Sequence, residues 1–320
     1  MDSQIIDFPS DERSRKLAKK YGYDEFIVRR FLNLFPDAER MIEVMEEIPP
    51  KYIRVNTLRI SEKELLERLE KRGFVLRKTD IRWCYQVESE PFSISATPEH
   101  LLGYFYIQDA SSCIPPLALS PSPHDLVLDA CASPGGKTTM LAQIMGNRGK
   151  IVALELKEER MLPLIYNLNR CGVENTLCFH MNALEVSSLN LEFDGILLDA
   201  PCTGEGVISK DPTRKSSRRA EDIISCSVLQ RELMDSCVSV LKPGGVLVYS
   251  TCSFAPEENE LVVQYAIEKH GMRLEEIPYG EPALVEAGNM KFSEEMRKAR
   301  RFYPHIHGTQ GFFVARMVKP

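Results

Sequence analysis

Two of the nine cysteines stand where a thiol could take part in chemistry. Cys202 lies in the segment Asp199-Ala-Pro-Cys-Thr-Gly204, and Cys252 lies in Thr251-Cys-Ser253. Each segment directly follows an apolar run with the pattern of a buried strand. A lone cysteine in such a place is usually a small apolar core residue, whereas a pair at the ends of successive strands favours a thiolate nucleophile.

The segment Asp129–Thr138 is a glycine-rich loop that leads into a predicted helix. Gly135 and Gly136 allow the backbone to approach a ligand, and the helix N-terminus offers free N–H groups. A phosphate-binding P-loop would have a further glycine six positions before its lysine, where this chain has Cys131. The other class with such a loop is the methyltransferases, in which Glu155, about 20 residues after the glycines, would bind the ribose hydroxyls of the cofactor.

Apolar runs alternate with helical patterns from about His124 onward, which predicts βαβ units and a parallel sheet. In such a sheet, ligands bind at the carboxyl ends of the strands, where the glycine loop and both cysteines fall. The predicted strands are Leu126–Leu128, Ile151–Leu154, Thr176–His180, Gly195–Leu198 and Val246–Ser250. The predicted helices are Gly136–Met145, Glu158–Cys171, Ser227–Leu241 and Glu257–His270.

The chain before residue 105 has a different pattern. Amphipathic helices precede Pro49-Pro50, and the segment Tyr52–Leu58 begins a strand, helix and strand pattern typical of a small α+β module. Such RRM-like modules can hold RNA on a sheet face. We therefore expect an N-terminal helical and α+β RNA-binding region over residues 1–105 and a catalytic domain over residues 106–320, in an α/β protein.

Composition narrows the class of protein. The chain has 320 residues, 43% of them hydrophobic, and a formal net charge of −6. It lacks an apolar run near the ~20 residues that span a bilayer, and its N-terminus is unlike a signal peptide, which favours a cytoplasmic location. Each of three basic runs, Arg13–Lys20, Lys210–Arg219 and Arg297–Arg301, fits a solvated helix face as well as RNA contact. Together, three such runs in an acidic protein favour a surface that follows nucleic-acid phosphates.

The cysteine pattern argues against two other uses of sulfur. The nine cysteines are odd in number and scattered, and no pair has the C-x-x-C spacing. This pattern disfavours a disulfide framework and a structural zinc site. We expect a monomer that binds RNA, with no membrane and no metal.

At this point the chain resembles the Sun-domain (RsmB-like) family of RNA cytosine-5 methyltransferases. The paired Pro-Cys and Thr-Cys loops behind a Pro-Gly-Gly-Lys loop make the resemblance specific. The matching segments reach from residue 51 to the end and are Arg54–Leu58, Gln108–Ser112, Cys131–Thr138, Asp199–Gly204, Thr251–Ser253 and His307–Phe313. The resemblance implies a Rossmann-like methyltransferase domain with a mostly parallel seven-stranded sheet, and S-adenosylmethionine as cofactor.

The resemblance also assigns catalytic roles. Cys252 would be the nucleophile that adds to carbon 6 of cytosine, and Cys202 would assist breakdown of the adduct. DNA cytosine-5 methyltransferases use the Pro-Cys cysteine as nucleophile and lack the Thr-Cys cysteine. The presence of both cysteines in this chain therefore indicates RNA as the substrate. Asp199 would hydrogen-bond the cytosine edge. Lys137 would lie near the base and the cofactor and could help to ionise a thiol.

A set of loop residues would line the cofactor by the same resemblance. Asn182 stands where family members usually have aspartate, and its side-chain carbonyl can still accept the hydrogen bond of the adenine amino group. The full set is Cys131, Ala132, Ser133, Pro134, Gly135, Gly136, Lys137, Glu155, Arg160, Asn182 and Asp199.

The residues indicate the reaction more directly than they indicate which RNA is the substrate. Compact members of the family are typically tRNA enzymes, so tRNA is the expected substrate and ribosomal RNA the alternative. Two other classes stay open: a methyltransferase for amines, which usually has an Asn/Asp-Pro-Pro-Tyr loop, and an RNA-binding protein with an inactive methyltransferase domain.

Overall fold

The computed structural model describes residues 5–320, so the first four residues of the predicted region 1–105 lie outside the described part of the chain. The helices are α1 (Glu12–Tyr21), α2 (Glu25–Leu34), α3 (Ala38–Met45), α4 (Glu62–Lys71), α5 (Pro98–Leu101), α6 (Ile114–Leu119), α7 (Gly136–Met145), α8 (Glu158–Cys171), α9 (Arg214–Ser217), α10 (Ala220–Ser239), α11 (Glu260–His270) and α12 (Pro304–His307). The strands are β1 (Lys51–Val55), β2 (Val75–Lys78), β3 (Cys84–Ser89), β4 (Phe105–Ile107), β5 (Leu126–Asp129), β6 (Lys150–Glu155), β7 (Thr176–His180), β8 (Phe193–Asp199), β9 (Leu241–Thr251), β10 (Arg273–Glu275), β11 (Glu281–Pro282), β12 (Glu286–Ala287), β13 (Met290–Lys291), β14 (Arg300–Phe302) and β15 (Phe312–Val318).

These elements form two compact units, each built from separate stretches of the chain. The glycine-loop unit consists of residues 50–199, 236–249 and 318–320. The cysteine unit consists of residues 5–49, 200–235 and 250–317. The predicted division at residue 105 concerns which part binds RNA, and it stays a prediction.

The glycine-loop unit contains two sheets. Strands β2, β3, β1 and β4 lie in this order and pair antiparallel; with α4 they form the small α+β module that the sequence predicts. Strands β9, β8, β5, β6 and β7 lie in order in the other sheet, where β5 runs parallel to β6 and β8, and β6 runs parallel to β7. The predicted α/β architecture with a mostly parallel sheet is confirmed. Within residues 5–320 this sheet has nine strands, two more than the seven expected.

The core strands explain this arrangement. Val127, Leu128, Ile151 and Leu154 are completely buried, as expected for strands of a parallel sheet, which bury both faces. The helix α7 begins where the sequence places it, because Gly135 adopts φ of 100°, a left-handed conformation that favours glycine. This turn aims the helix N-terminus at the end of β5.

The cysteine unit has its own apolar core. Helices α1, α2 and α3 pack around Val28, Phe31 and Met41, and Phe254 and Tyr303 from later in the chain join the same cluster. Strand β14 pairs antiparallel with β11 and β15, and β12 pairs antiparallel with β13. The core therefore ties the N-terminal helices to the segment that carries Cys252.

Two predicted helix starts are wrong. Helix α10 begins at Ala220, before the predicted Ser227, and α11 begins at Glu260, after the predicted Glu257. In the second case Glu257 and Glu258 are 2% and 0% exposed in a turn, with side chains held by distant partners in the same unit. Tertiary contacts thus override the local helix signal.

Candidate active site

The sulfur atoms of the two predicted catalytic cysteines lie together in the cysteine unit. Cys202 Sγ and Cys252 Sγ are 3.2 Å apart, and both side chains are half-buried. Cys202 follows the end of β8 closely, and Cys252 directly follows β9. At this separation one thiol can donate a hydrogen bond to the other sulfur.

Two glycines allow the cysteine loops to approach each other. Gly204 has φ of 73°, and a Cβ on it would lie 2.1 Å from Arg214 Nη1 and 3.4 Å from Cys252 Sγ. Gly206 donates its backbone N–H to the Cys252 carbonyl at 2.9 Å, and a Cβ on Gly206 would come within 2.6 Å of that oxygen. A side chain at Gly206 would push the Pro-Cys loop away from the Thr-Cys loop, whereas one at Gly204 would displace the Arg214 side chain.

Arginines of a predicted phosphate-binding run hold the Pro-Cys loop. The carbonyl oxygen of Thr203 accepts from Arg214 Nη1 at 2.5 Å and from Arg218 Nε at 2.8 Å. Lys215 also donates within the cysteine unit. The sequence of the run Lys210–Arg219 shows its charge but not these partners, so sequence reasoning considered only RNA contact or a solvated helix face for the two arginines.

The surroundings of the two sulfurs differ. Contact with Cys252 and burial raise the pKa of the Cys202 thiol well above its ordinary value. Cys202 therefore keeps its proton at neutral pH and can donate it to the Cys252 sulfur. Arg214 Nη1 and Cys252 Sγ both lie beside Gly204, within 2.1 Å and 3.4 Å of the position that a Cβ on this residue would occupy.

The remaining predicted catalytic residues form an ion pair in the glycine-loop unit. Lys137 Nζ donates to Asp199 Oδ2 at 2.6 Å. Lys137 belongs to the first turn of α7, and Asp199 is the last residue of β8. The structure therefore brings this pair together at the carboxyl ends of neighbouring strands, and Asp199 continues along the chain into the Pro-Cys loop.

The glycine loop keeps one carboxylate oxygen available. Asp129 is 1% exposed, and its Oδ2 accepts from Thr138 Oγ1 at 2.7 Å. Its Oδ1 is buried and has no hydrogen-bond partner among residues 5–320. Burial raises the pKa of Asp129 to about 6. A buried acceptor without a partner at a helix N-terminus suits a ligand that brings donors.

The other predicted cofactor residues cluster at the ends of β6 and β7. Glu155 is 4% exposed, and its Oε1 accepts from the backbone of Lys157 at 2.9 Å. Arg160 Nη1 lies 3.7 Å from Glu155 Oε2, and Arg160 Nη2 donates to the Ser133 carbonyl at 2.7 Å. Asn182 Oδ1 accepts from a backbone N–H two residues on, at 3.1 Å. Carboxylate and amide oxygens at strand ends suit the hydroxyl and amino donors of a nucleoside.

Sequence reasoning gave no role to one residue that braces the glycine loop and to another that braces the end of α8. Arg54 of β1 is 0% exposed and donates to the Gly136 carbonyl at 2.8 Å and to Thr139 Oγ1 at 2.8 Å. Asn56 donates at 2.8 Å to the carbonyl of Cys171, the last residue of α8. An arginine inside the apolar run of a strand was the available signal, because such a position is buried and needs polar partners.

The chain is similar to known protein families and to known proteins. Residues 116–318 match the family described as "16S rRNA methyltransferase RsmB/F", and residues 23–85 match the "Methyltr_RsmF/B-like, ferredoxin-like domain". The human "28S rRNA (cytosine(4447)-C(5))-methyltransferase" is 40% identical over 95% of this chain, which covers 39% of the human protein. The "Ribosomal RNA small subunit methyltransferase F" of Salmonella paratyphi B is 40% identical over 83% of this chain, which covers 56% of that protein.

A solved structure is also similar over its whole length. It is a "Methyltransferase Homolog Protein from Pyrococcus Horikoshii", 44% identical, with a TM-score of 0.90 over 97% of this chain and 100% of that one. By contrast, the chain spans only about half the length of the curated relatives it matches. Within residues 5–320, no helix has the length and hydrophobicity of a membrane span. The same described residues include no group of three or more His, Cys, Asp or Glu side chains placed to hold a metal ion.

Proposed function

The chain belongs to the RsmB/F methyltransferase family, with its ferredoxin-like domain and Rossmann-like fold, and from this we propose that it methylates carbon 5 of a cytosine in ribosomal RNA. The observation that carries the proposal is the contact between Cys202 Sγ and Cys252 Sγ at 3.2 Å. Carbon 5 of cytosine is a poor nucleophile, so a thiol able to add to the ring is needed for this chemistry.

Cys252 is the proposed nucleophile. Its thiolate forms a bond to carbon 6 of the target cytosine, and the electron pair of the ring double bond then makes carbon 5 nucleophilic. After carbon 5 is methylated, loss of its proton and cleavage of the sulfur–carbon 6 bond restore the aromatic base and free Cys252. The base must leave its stack to reach this position.

Cys202 is the proposed partner in release. Its raised pKa keeps a proton on sulfur at neutral pH, 3.2 Å from the leaving sulfur of Cys252. The proton can stabilise the departing thiolate by a hydrogen bond. Asp199 would hold the cytosine edge, and Lys137, 2.6 Å from it, would keep that carboxylate oriented.

The cofactor of this family is S-adenosylmethionine, which supplies an electrophilic methyl group when bound. The residues of the glycine-loop unit fit it: the loop Cys131–Lys137 can approach it closely, and Glu155 offers a carboxylate for its ribose hydroxyls. Arg160 would hold Ser133 and Glu155 in place, and Asn182 would accept from the adenine amino group.

Ribosomal RNA is the proposed substrate because the relatives that cover most of this chain are named as rRNA methyltransferases. The sequence favoured tRNA on compactness, and these relatives give that preference no support. Residues 1–105 are the proposed RNA-binding region, which includes the ferredoxin-like match at residues 23–85.

Transfer of a radioactive methyl group tests the proposal. The purified chain would be incubated with labelled S-adenosylmethionine and with separate pools of unmodified ribosomal RNA and tRNA. Label in cytosine of ribosomal RNA, lost with Cys252→Ala and kept with Cys226→Ala, is the expected result. Cys226 is a matched control, since it is another half-buried cysteine of the same unit. Label in tRNA alone would overturn the substrate, and label in neither would overturn the activity.

A further inference from the structure

Two carboxyl and two hydroxyl groups form a buried cluster next to the reactive cysteines. Glu205 and Glu258 are 4% and 0% exposed, and Thr203 and Ser253 are 2% and 0% exposed. Thr203 directly follows Cys202, and Ser253 directly follows Cys252. All four belong to the cysteine unit, so its core contains two acids at the point where the two cysteine loops meet.

Each hydroxyl of this cluster lies between both carboxyls. Thr203 Oγ1 is 2.7 Å from Glu205 Oε1 and also contacts Glu258 Oε1. Ser253 Oγ is 2.8 Å from Glu205 Oε2 and 2.7 Å from Glu258 Oε1. A hydroxyl has one proton to donate, so two ionised carboxylates would leave each hydroxyl with an oxygen contact that holds no proton.

One additional proton reduces the contacts without a proton from two to one. With Glu258 protonated, Thr203 and Ser253 can both donate to Glu205, and Glu258 Oε1 can donate to one of the hydroxyls in return. Burial, and then the charge of Glu205, raise the pKa of Glu258 to about 8. The geometry and the direction of this shift agree on a protonated acid at neutral pH.

The contacts of Glu258 flank Cys202 on both sides. Its Oε2 accepts from the backbone N–H of Thr203 at 3.0 Å and from Gln230 Nε2 at 2.9 Å. Gln230 Nε2 also donates to the Pro201 carbonyl at 2.8 Å. Through Oε1, Glu258 reaches Ser253, the residue after Cys252. A single side chain therefore connects the Pro-Cys loop with the Thr-Cys loop.

Neighbouring glutamates of the same segment provide a contrast. Glu257 pairs with Arg30 at 2.6 Å, and Glu260 accepts from Arg301 Nε at 2.6 Å; all four side chains are nearly completely buried. Each of these two acids thus has a guanidinium group as its partner. Within four residues, the chain thus places two acids against arginine and one against another acid.

We propose that Glu205 and Glu258 share one proton and that this protonated pair is the positioning element that keeps Cys202 and Cys252 in contact. The importance of that contact for catalysis rests on the proposed function, but the proton and its effect on geometry do not. The titratable groups that face Glu258 are Glu205, Cys202 and, from α10, Cys226. Arg218 lines the same cavity as Glu205.

The proton makes stability depend on pH in a defined direction. The folded chain holds a proton on Glu258 up to pH of about 8, whereas the unfolded chain releases it near the ordinary glutamate pKa of 4.5. Its contribution to stability is therefore complete below that ordinary value and is lost as pH rises towards about 8. An amide at this position has no proton to lose and should remove this dependence.

Urea unfolding over this pH range tests the proton with Glu258→Gln, and Glu257→Gln is the matched control. The Glu258→Gln variant should be at least as stable as the wild type, with an advantage that grows as pH rises. The Glu257→Gln variant should be less stable throughout, because it leaves Arg30 buried without its counter-charge. A Glu258→Gln variant that loses as much stability as Glu257→Gln, without pH dependence, would overturn the shared proton.

Disulfide trapping tests the positioning role without RNA or cofactor. Diamide removes one hydrogen from each thiol, and the rate at which Cys202 and Cys252 become linked reports their proximity. Glu258→Gln should link at the wild-type rate, and Glu258→Ala several-fold more slowly. Wild-type linking in Glu258→Ala would refute the role, and if that variant does not fold, the pH profile of Glu258→Gln decides. A chain that transfers no methyl group could still give the expected result in both assays.

Discussion

The glycine loop and the cysteine loops both follow strand ends, yet the buried acid beside each of them, Asp129 or Glu258, has different surroundings. In the glycine-loop unit, Asp129 Oδ1 is buried without a hydrogen-bond partner among residues 5–320. Around the cysteines, a single carbonyl, that of Thr203, accepts from two arginines, and Glu258 connects both loops. Polar groups kept for a ligand characterise a binding site, whereas groups bound to each other hold a reactive side chain in fixed geometry.

The difference suggests a division of work between the two regions. We infer that the glycine loop serves cofactor binding and that the cysteine loops serve covalent chemistry on RNA. The inference predicts that variants in one region change one property and leave the other intact. Four substitutions test this separation, from the largest expected effect to the smallest.

Removal of the nucleophile should abolish methyl transfer and leave cofactor binding unchanged. Cys252→Ala should lower methyl transfer by at least ~10³-fold, because the covalent route is lost. Cofactor affinity, measured by calorimetry, should stay at the wild-type value, since Cys252 lies in the cysteine unit. Residual turnover near the wild-type rate would refute the nucleophile, and loss of cofactor affinity would refute the separation of the two regions.

Removal of the ribose acid should break cofactor binding alone. Glu155→Ala should weaken cofactor affinity by roughly 1.5–3 kcal/mol, the contribution of a hydrogen bond to a charged group. Glu158→Ala, at an exposed position at the start of α8, is the control. RNA affinity should not change in either variant. Equal cofactor affinities for the Glu155 and Glu158 variants would contradict the ribose role.

Loss of the positive charge near Cys252 Sγ should change the reactivity of this cysteine. Arg214→Met should slow alkylation of Cys252 by iodoacetamide at neutral pH by about tenfold, because a cation near the reacting sulfur is removed. Arg214→Lys should slow alkylation less than Arg214→Met, since lysine keeps the positive charge. Arg219→Met, at an exposed position of the same run, should have no effect. If Arg219→Met slows alkylation as much as Arg214→Met, proximity to sulfur is not the cause.

The smallest expected effect is a change in the salt dependence of RNA binding when lysines or arginines of the basic runs are replaced. Lys16 and Lys19 are exposed on α1, whereas Arg297 and Lys298 form ion pairs with neighbouring glutamates. Replacing both α1 lysines by glutamine should reduce the slope of log affinity against log salt by about 1 per lysine. Replacement of Arg297 and Lys298 by glutamine should reduce this slope by less. The opposite ranking would place the RNA on the other basic run.

The sequence predicted the architecture well because its signals are local. Helices α7 and α8 and strand β7 begin and end at the predicted residues, since glycine turns and apolar periodicity define them. The contact of Cys202 with Cys252 also follows from sequence, because both residues come after strands whose carboxyl ends lie at one edge of the sheet.

The sequence did not predict which groups the charged residues contact. For the run Lys210–Arg219 the sequence predicted RNA contact or a solvated face, and RNA contact stays a prediction; the sequence did not predict that Arg214 and Arg218 bind the carbonyl of Thr203. Residues 257–260 were predicted to be helical, but the first acids of that stretch point into the core. A charged residue type does not reveal which distant group it meets, and that group decides whether the residue serves the fold or a ligand.

The most direct test of the account uses Cys202→Ala with S-adenosylmethionine and ribosomal RNA on a denaturing protein gel. If Cys252 is the nucleophile and Cys202 is required for release, a slowly migrating protein–RNA adduct should accumulate, and it should disappear in the double variant with Cys252→Ala. Sequencing the trapped RNA would identify the cytosine. An adduct that persists without Cys252, or that forms with Cys252→Ala alone, would contradict the assigned roles of the two cysteines.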